Sequence, residues 1–284
     1  MKLTVLVDNT TIIDNYLLGE PGVCYLIESD GVNLLFDTGY SDVFIKNAGT
    51  LGIDLHELDA VVLSHGHNDH TWGLAHLARF YDRTHAPRSD RIKLIAHPDA
   101  FLPKRDGKLS IGADIPADGH ARWMDRIECT QPYRISEELI FLGSIPRENG
   151  FEGLKPIGST LDSQGHAIDD FVRDDSALVC TTPHGLVVVT GCSHSGICNI
   201  IDYAMKVTGE ARIAAVIGGF HLQNSEPGVL QRTREYFEHL QAGTLYPCHC
   251  TDLRAKIELD RVSRIGEVGT GLVLDFDPAR AGAC

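Results

Sequence analysis

Hydrophobic and polar residues along the first third of the chain form short apolar runs rich in β-branched and aromatic residues. Gly and Asp interrupt these runs, and the Asp30-Gly31 dipeptide occupies the tip of a turn between two of them. The pattern predicts strands over KLTVLVD, VCYLIES, VNLLFDTG, DAVVLSH and RIKLIAH, the last closed by Pro98. It predicts helices over DVFIKNAGTLGI, with an end near Gly49 or Gly52, and over GLAHLARFY.

The second half of the chain repeats this rhythm of strand followed by helix. We predict strands over ELIFLG, SALVCTT, GLVVVTGCSH, IAAVIGGFH, TLYPCHC and GLVLDF. Helices are predicted over ICNIIDYAMKVTG, over GVLQRTREYFEHLQAG, which Gly243 can end, and over TDLRAKIELDRV. Strands and helices in two comparable halves indicate one layered α/β domain over residues 1–284.

Two stretches lack clear periodicity, about 102–126 and about 146–171. Both are loop-like, and the first is rich in Gly, Asp, Lys and Pro, so we interpret them as loop insertions on a core scaffold. Segments of this length often form lids or binding loops, and the alternative is a mobile loop without a function.

The charge and the cysteines limit the classes of partner. A formal net charge of −14 disfavours a nucleic-acid backbone or an anionic membrane surface. No run approaches the roughly 18 apolar residues that span a bilayer, and MKLTVLVDNT has the pattern of a strand and not of an export signal. The eight cysteines are scattered, which is typical of reduced thiols. We therefore expect a cytoplasmic protein that acts on a small molecule, with its oligomeric state open.

The loop after the predicted strand DAVVLSH concentrates four potential metal ligands within six residues: His65, His67, Asp69 and His70. Residues two apart on an extended backbone point the same way, so His65 and His67 can face one ion. Gly66 gives the backbone room to turn the other two toward the same point. A solvated polar loop is the alternative, but this density at a strand end favours a metal site.

Three later predicted strands each deliver a histidine at the same end. These histidines are His194 after GLVVV, His221 after IAAVIGGF and His249 after TLYPC. One such histidine alone would be explained equally well as a core or surface residue. Three in succession indicate that they complete the site that the earlier loop begins.

The spacing His-X-His-X-Asp-His, followed later by Gly-Cys-Ser-His-Ser-Gly, resembles the metallo-β-lactamase fold superfamily, as does FDTG around Asp37. This resemblance implies a metallo-β-lactamase-like αββα sandwich: two mixed sheets face each other, flanked by helices, with the metal site along one edge. The segments GGFHL, PCHCTD, IPRENGFEG and RDDSALV are similar to a subfamily. It includes dihydropterin-type synthases of methanopterin biosynthesis and bacterial metal-dependent hydrolases.

The resemblance also implies a role for each ligand. It places a first metal on His65, His67 and His194, and a second on Asp69, His70 and His249. Asp37 would orient a ligand through a hydrogen bond. Three neutral imidazoles with an open position are a catalytic zinc pattern, so we expect one or two zinc ions, and Mn or Fe also suit these ligands.

His221 departs from the superfamily pattern, because most members have there an aspartate that bridges both metals. An imidazole has a single lone pair to give, so His221 either binds one metal, which we expect, or only lines the pocket. The neighbouring cysteines are interpreted as small buried residues and not as ligands. Strand alternation places Cys248 and Cys250 on the face opposite His249, and Cys192 is interpreted in the same way.

The expected chemistry is metal-assisted hydrolysis of an ester, phosphoester or similar bond. A metal lowers the pKa of bound water toward about 7, which supplies a nucleophile at neutral pH. Asp69 and His70 are the candidate catalytic residues, and Asp69 can orient the water as well as bind metal.

Two alternatives stay open. The first is a transferase like 7,8-dihydropterin-6-methyl-4-(β-D-ribofuranosyl)aminobenzene-5'-phosphate synthase, which acts on a pterin-like, phosphorylated substrate in a pocket that the insertions supply. Its candidate substrate contacts are Arg147, Lys155 and Asp175, together with Arg105, Lys108 and Asp174. Asp174 and Asp175 are equally well explained as helix or turn caps. The second alternative is a non-enzymatic metal or ligand sensor.

Overall fold

The computed structural model describes residues 1–84, 91–115 and 122–276 of the chain. Its strands are β1 (Lys2–Val7), β2 (Cys24–Ser29), β3 (Val32–Phe36), β4 (Ala60–Val62), β5 (Ile92–Ala96), β6 (Arg105–Asp106), β7 (Leu109–Ser110), β8 (Met124–Glu128), β9 (Tyr133–Arg134), β10 (Leu139–Phe141), β11 (Ser159–Leu161), β12 (Ala167–Asp169), β13 (Ala177–Thr182), β14 (Gly185–Thr190), β15 (Ile213–Gly219), β16 (Thr244–Cys248), β17 (Arg264–Ile265) and β18 (Val273–Asp275). Its α-helices are α1 (Val43–Leu51), α2 (Asn68–Thr71), α3 (Gly73–Thr84), α4 (Ile197–Thr208), α5 (Pro227–Leu240) and α6 (Leu253–Asp260). Single 3-10 turns cover Leu55–Glu57 and Pro98–Phe101.

Two seven-stranded mixed sheets carry the fold, as the sequence predicts. The first has the order β18-β1-β2-β3-β4-β5-β8, with antiparallel pairs as far as β3 and parallel pairs beyond it. The second has the order β17-β16-β15-β14-β13-β10-β9, parallel from β17 to β14 and antiparallel from β14 to β9.

Three apolar clusters show how the layers stack. The inner faces of both sheets meet in a core that contains Tyr25, Phe36 and Leu178. The outer face of the first sheet packs with Phe44 and Tyr81 on α1 and α3, and the outer face of the second sheet packs on α4, α5 and α6. Helices therefore cover both outer faces, and the predicted αββα sandwich is confirmed.

The two predicted insertions are not structureless. Strands β6 and β7 from the first pair with β11 and β12 from the second in a small four-stranded sheet, joined where Arg105 lies opposite Ser159. The end of the first insertion contributes β8, which extends the first sheet beside β5. Residues 116–121 of this insertion lie outside the described residues.

One helix ends earlier than the sequence predicts. Helix α1 ends at Leu51 and is capped by Gly52 in a left-handed conformation, as expected, but α5 ends at Leu240 and is capped by Gln241, whose φ is 52°, and not by Gly243. Gly243 instead lies against the carbonyl of Ala214, where a Cβ atom would approach the oxygen to 2.3 Å. Within the described ranges, none of the helices combines the length and apolarity needed to cross a lipid bilayer.

Candidate metal centre

The candidate ligands come from loops at one edge of the sandwich, where β4, β14, β15 and β16 end. His65 and His67 follow β4, and Asp69 and His70 lie in the short helix α2. The later histidines His194, His221 and His249 follow β14, β15 and β16 in turn. Parallel neighbours end at the same edge of a sheet, so β14, β15 and β16 deliver their histidines side by side.

Three of these imidazoles converge, and we call His65, His67 and His194 the first subsite. His65 Nε2 lies 3.0 Å from His67 Nδ1 and 3.2 Å from His194 Nε2. All three residues are buried. The ring of His67 lies 4.9 Å from that of His194, so the three rings surround a common point.

Hydrogen bonds fix which nitrogen of His65 carries its proton. The Ser64 hydroxyl donates to Asp37 Oδ2 at 2.7 Å, so it accepts from His65 Nδ1, which is 2.9 Å away. His65 therefore holds its proton on Nδ1 and presents the lone pair of Nε2 to the other two imidazoles. This is the form of histidine that binds a metal.

Asp69, His70 and His249 form a second group, which we call the second subsite. Asp69 Oδ2 lies 3.5 Å from His70 Nε2 and 3.3 Å from His249 Nε2. His70 Nδ1 donates to Asp37 Oδ2 at 2.7 Å, and His249 Nδ1 faces Asn9 Oδ1 at 3.1 Å. The Nε2 atoms of both histidines therefore face Asp69, and the role of Asp37 in orienting a metal ligand stays a prediction.

The two subsites differ in how their surroundings shift the pKa values of the histidines. Burial lowers the pKa of His65 and of His194 well below the ordinary value, and it lowers that of His67 to about 4. Burial also acts on His70, but the carboxylates of Asp69 and Asp37 hold its pKa well above the ordinary value. The first subsite is thus a set of neutral imidazoles and the second contains paired charges.

The spacing and chemistry of these donors fit divalent cations. Tetrahedral zinc with Zn–N bonds of about 2.0–2.1 Å separates neighbouring ligand nitrogens by about 3.3 Å. The nitrogen–nitrogen distances of 3.0 and 3.2 Å in the first subsite are close to that value. Neutral imidazoles and a carboxylate are ligands of zinc, manganese and iron alike.

His221 lies at the border of the first subsite. Its ring is 4.5 Å from that of His194. Burial acts to lower the pKa of His221, but the neighbouring Cys250 holds it above the ordinary value. Two groups of side chains each have all of their donor atoms within 4.8 Å of one another. One group is Asp69, His70, Cys192 and His249, and the other is His65, Cys192 and His194. His221 belongs to neither group, so its ligation stays a prediction.

The cysteines near the site fit only in part their interpretation as small buried residues that do not take part in the metal site. Cys248 is buried in the inter-sheet core against the hydroxyl of Tyr25, as expected. Cys192 is also buried, but its Sγ lies 3.3 Å from His70 Nε2. The expected strand alternation does not reach Cys250, because β16 ends at Cys248 and His249 has a left-handed φ of 52°. Cys250 Sγ approaches the carbonyl of Cys192 at 3.4 Å, and its interpretation as a residue that is not a ligand stays a prediction.

Left-handed backbone recurs around the site at residues other than glycine. Asp37 and Ser193 have φ of 59°, His221 has φ of 53° and His249 has φ of 52°. Each lies in a turn directly after a strand or next to a ligand. These turns bring side chains together that a regular strand would send to opposite faces.

The predicted substrate contacts are engaged by the protein itself. The Arg147 guanidinium donates to the carbonyls of Gly153, Phe171 and Val172 and thereby connects the two ends of the second insertion. Lys155 is exposed and pairs with the carboxylate of Glu226. Their contact with a substrate stays a prediction.

Asp175 occupies a position that suits support of the site rather than contact with a substrate. It is fully buried, and its Oδ2 accepts from the amide of Ser195 at 2.8 Å, directly after the candidate ligand His194. Burial raises its pKa to about 6.

The sequence does not predict a buried ion cluster that lies beneath the first subsite. The Lys104 ammonium lies between Asp170 Oδ2 at 2.9 Å and Asp174 Oδ1 at 2.8 Å. Asp174 Oδ2 in turn accepts from the amide of Gly66 at 2.7 Å, between the ligands of the loop after β4. Lys104 and Asp174 are each 1% exposed, so this cluster holds the loop from below.

Glu152 is a second buried charged residue that connects a distant segment to the first subsite. Its carboxylate accepts from the amides of Cys198 and Asn199 at the start of α4, directly after the His194 turn. The sequence gives no sign of this connection, because the two amides of α4 lie more than forty positions from Glu152.

A cavity of about 300 Å³ opens beside the centre. His194 and His221 form its inner wall, and the aromatic rings of Phe151, Phe171 and Phe220 line its sides. Phe151 and Phe171 belong to the second insertion, so that segment forms part of a pocket at the metal centre.

The chain is similar to known proteins over most of its length. The family model of the metallo-beta-lactamase superfamily matches residues 17–198. An uncharacterized protein of Methanocaldococcus jannaschii is 33% identical over 272 residues, 94% of this chain and 98% of that protein. The 7,8-dihydropterin-6-methyl-4-(beta-D-ribofuranosyl)-aminobenzene-5'-phosphate synthase of the same organism is 29% identical, over 90% and 89% of the two chains.

A solved structure agrees with the fold. That of Tm1679, a metal-dependent hydrolase of the beta-lactamase superfamily, is 32% identical in sequence with a TM-score of 0.82, over 97% of this chain and 98% of that one. The architecture, the family match and these relatives agree, and the chain belongs to the metallo-beta-lactamase superfamily.

Proposed function

We propose that the protein is a metal-dependent hydrolase that cleaves an ester, phosphoester or similar bond of a small molecule. The observation that carries this proposal is the convergence of His67 Nδ1 and His194 Nε2 on His65 Nε2, at 3.0 and 3.2 Å, beside a cavity of about 300 Å³. The similarity to Tm1679 over almost the whole chain supports it. We also propose that the protein acts in the cytoplasm and has no nucleic acid or membrane as its partner.

The proposed roles follow from the geometry of the two subsites. His65, His67 and His194 hold the first cation, and Asp69, His70 and His249 hold the second. When bound, a divalent cation of this kind polarises a substrate oxygen and makes water a stronger nucleophile near neutral pH. We propose zinc as the cation, with manganese or iron as alternatives.

Asp69 and His70 contribute differently to the proposed reaction. Asp69 keeps 20% of its side chain exposed, so a carboxylate oxygen can accept a hydrogen bond from the attacking water and orient it. His70 is fully buried between Asp37 and Asp69, which suits a ligand that does not move.

The cavity favours a substrate with a flat or apolar portion and a polar end. Its aromatic side walls bury apolar surface, and Lys155, Gln223 and Asn224 supply polar groups among its lining. An anionic group on the substrate could replace Glu226 as the partner of Lys155. The proposed partner is therefore a small molecule that can carry a phosphate.

The experiment compares turnover of generic phosphodiester and ester substrates by the zinc-loaded protein, the chelated protein and the His67→Ala variant. We expect chelation and His67→Ala each to lower turnover about a thousandfold, since a metal contributes several kcal/mol to the transition state. His166→Ala is the matched control, because His166 is an exposed histidine paired with Asp162 in the second insertion.

Turnover that is equal in the loaded protein and in His67→Ala would contradict the proposal. Stoichiometric metal binding without turnover of any substrate would favour the non-enzymatic sensor.

The relationship to the synthase favours one second candidate, a transferase that acts on a dihydropterin. Its support is the 29% identity over 90% of the chain, together with a cavity lined by the half-buried Phe151 and Phe171, whose rings suit a flat heterocycle. Titration of the metal-loaded protein with a dihydropterin tests it. Saturable binding that Phe151→Ala weakens would favour the transferase, and no binding to protein that contains metal would exclude it.

A further inference from the structure

The side chain that lies between the two subsites is a cysteine. Cys192 belongs to both sets of potential ligands, with His65 and His194 in one and with Asp69, His70 and His249 in the other. In each set all donor atoms lie within 4.8 Å of one another, and Cys192 Sγ is 3.3 Å from His70 Nε2. Among the residues that the structure describes, Cys192 alone occurs in both sets.

We propose that the Cys192 thiolate is a ligand common to both cations, in the position between them where a bridging carboxylate is usual. This inference rests on the metal centre proposed above and not on the reaction. On coordination the thiol loses its proton to solvent and sulfur–metal bonds form, with no change of oxidation state.

The backbone before Cys192 holds the sulfur in this position. Gly191 packs so closely on the first sheet that a Cβ atom there would lie 2.1 Å from Ser64 Oγ and 2.9 Å from Asp37 Oδ2. The amide of Gly219 donates to the carbonyl of Gly191 at 2.8 Å, which fixes the turn from the other side. Cys192 is 5% exposed and therefore faces the cluster and not the solvent.

The chemistry of sulfur suits a shared ligand better than that of His221. A thiolate has several lone pairs and can bind two cations, whereas a neutral imidazole offers a single lone pair once its other nitrogen carries the proton. A thiolate also adds a negative charge to a centre whose only carboxylate ligand is Asp69. Two divalent cations in a buried site need such compensation.

X-ray absorption at the zinc edge of the wild-type protein with two zinc ions tests the proposal directly. A shared thiolate predicts on average one sulfur neighbour for each zinc. A thiolate bound to one ion only predicts one sulfur for every two zinc ions, and that result would overturn the shared position. A spectrum without sulfur would overturn any role of Cys192 as a ligand.

Variants identify the cysteine responsible. With cobalt in place of zinc, a thiolate ligand produces a charge-transfer absorption in the near ultraviolet, which we expect Cys192→Ser to abolish together with tight binding of the second ion. Cys192→Asp should restore two-ion binding without that absorption. Cys129→Ser is the control, since Cys129 lies in the inter-sheet core beyond β8.

The outcomes separate this inference from the proposed function. Loss of the absorption in Cys250→Ser but not in Cys192→Ser would assign the ligand to Cys250 and overturn the proposal. Two bound ions without a sulfur signal would contradict this inference alone, and a protein that binds no metal at all would also contradict the proposed function. If Cys192→Ser fails to fold, a wild-type spectrum without sulfur still overturns the proposal, and loss of the sulfur signal in Cys250→Ser would assign the ligand to Cys250 instead.

Discussion

The two subsites lie side by side but are held in different ways. The first subsite consists of three buried imidazoles whose pKa values burial lowers, and it has no charged ligand of its own. The second subsite places the carboxylate of Asp69 against His70, whose pKa that carboxylate and Asp37 raise. If the two subsites hold cations as proposed, the first offers neutral imidazoles, whereas in the second the carboxylates that raise the pKa of His70 oppose loss of its proton on metal binding.

This difference indicates that the first subsite depends on its scaffold and the second on its charges. The loop of His65 and His67 is held from below by Asp174, which accepts from Gly66 and pairs with Lys104. The second subsite depends on Asp37 and Asn9, which keep the protons of His70 and His249 away from the metal. Variants in either support should therefore affect mainly one subsite.

The largest expected effect is on the scaffold of the first subsite. Lys104→Met leaves Asp170 and Asp174 buried without their cation, which should lower the free energy of unfolding by about 3–5 kcal/mol. Chemical denaturation of the metal-free protein measures this, and Lys108→Met, at an exposed lysine of the same insertion, is the control. Equal stability of the two variants would show that the ion cluster does not support the loop.

The same variant should reverse the effect of acid on stability. Burial raises the pKa of Asp174, but Lys104 and the Gly66 amide outweigh it and hold the pKa below the ordinary 3.8. A carboxyl group with a lowered pKa stabilises the folded state above its ordinary pKa, and this contribution is lost as the pH falls through the lowered value. The metal-free wild type should thus lose stability below about pH 4.

Without Lys104, burial becomes the main influence on Asp174 and raises the pKa of its carboxyl group. The metal-free Lys104→Met variant should then gain stability as the pH falls from about 7 to about 4, since the folded state takes up protons first. Denaturation midpoints at several pH values check this, and parallel curves for the two proteins would contradict it.

A smaller effect is expected at Asp37, which connects the two subsites. Asp37→Asn replaces an acceptor by an amide that must donate to either Ser64 Oγ or His70 Nδ1, so the proton of His70 moves to the nitrogen that should bind metal. We expect the affinity of the second cation to fall about 10–100-fold and that of the first less. Isothermal titration with zinc measures both binding steps. An equal loss of affinity in both would show that Asp37 supports the two subsites alike.

The smallest effects should separate the subsites most cleanly. Ser64→Ala removes the acceptor of His65 Nδ1, and Asn9→Ala removes that of His249 Nδ1. Each variant should lower the affinity of its own subsite for the cation about tenfold, which is the lower end of the range for hydrogen bonds that support a metal ligand. Competition with a chelator of known affinity measures the two binding steps. A variant that lowers the affinity of the other subsite would show that the two subsites are not supported separately.

The elements that the sequence predicts best are those that depend on local pattern. The runs that form β1 to β5 and β13 to β16 are apolar enough to identify the two sheets, and the histidines follow from their position at strand ends. The single domain over 1–284 stays a prediction, as do the metal identity and the reaction.

The elements that the sequence does not predict depend on partners far away in the chain. Lys104 pairs with residues 66 and 70 positions later, so nothing near it distinguishes it from an exposed lysine. Strand β8 pairs with β5 across a weakly patterned stretch, and the insertion sheet joins segments from two separate insertions.

Cys192 is a different case, because a local signal exists. It lies two residues before His194, the same separation as between His65 and His67, although β14 ends at Thr190 and the intervening Ser193 has a left-handed backbone. The burial of small cysteines concealed this signal, since a buried thiol in a core and a buried thiol at a metal have the same pattern in the sequence.

The left-handed turns at Asp37, Ser193, His221 and His249 have a consequence for the evolution of the protein. Each such residue raises the free energy of the folded chain by about 1–2 kcal/mol relative to a relaxed backbone. Glycine at any of them would relieve that strain but would delete a side chain of the centre. The edge of the sandwich that carries the histidines is thus a place where selection for robustness and selection for chemistry oppose each other.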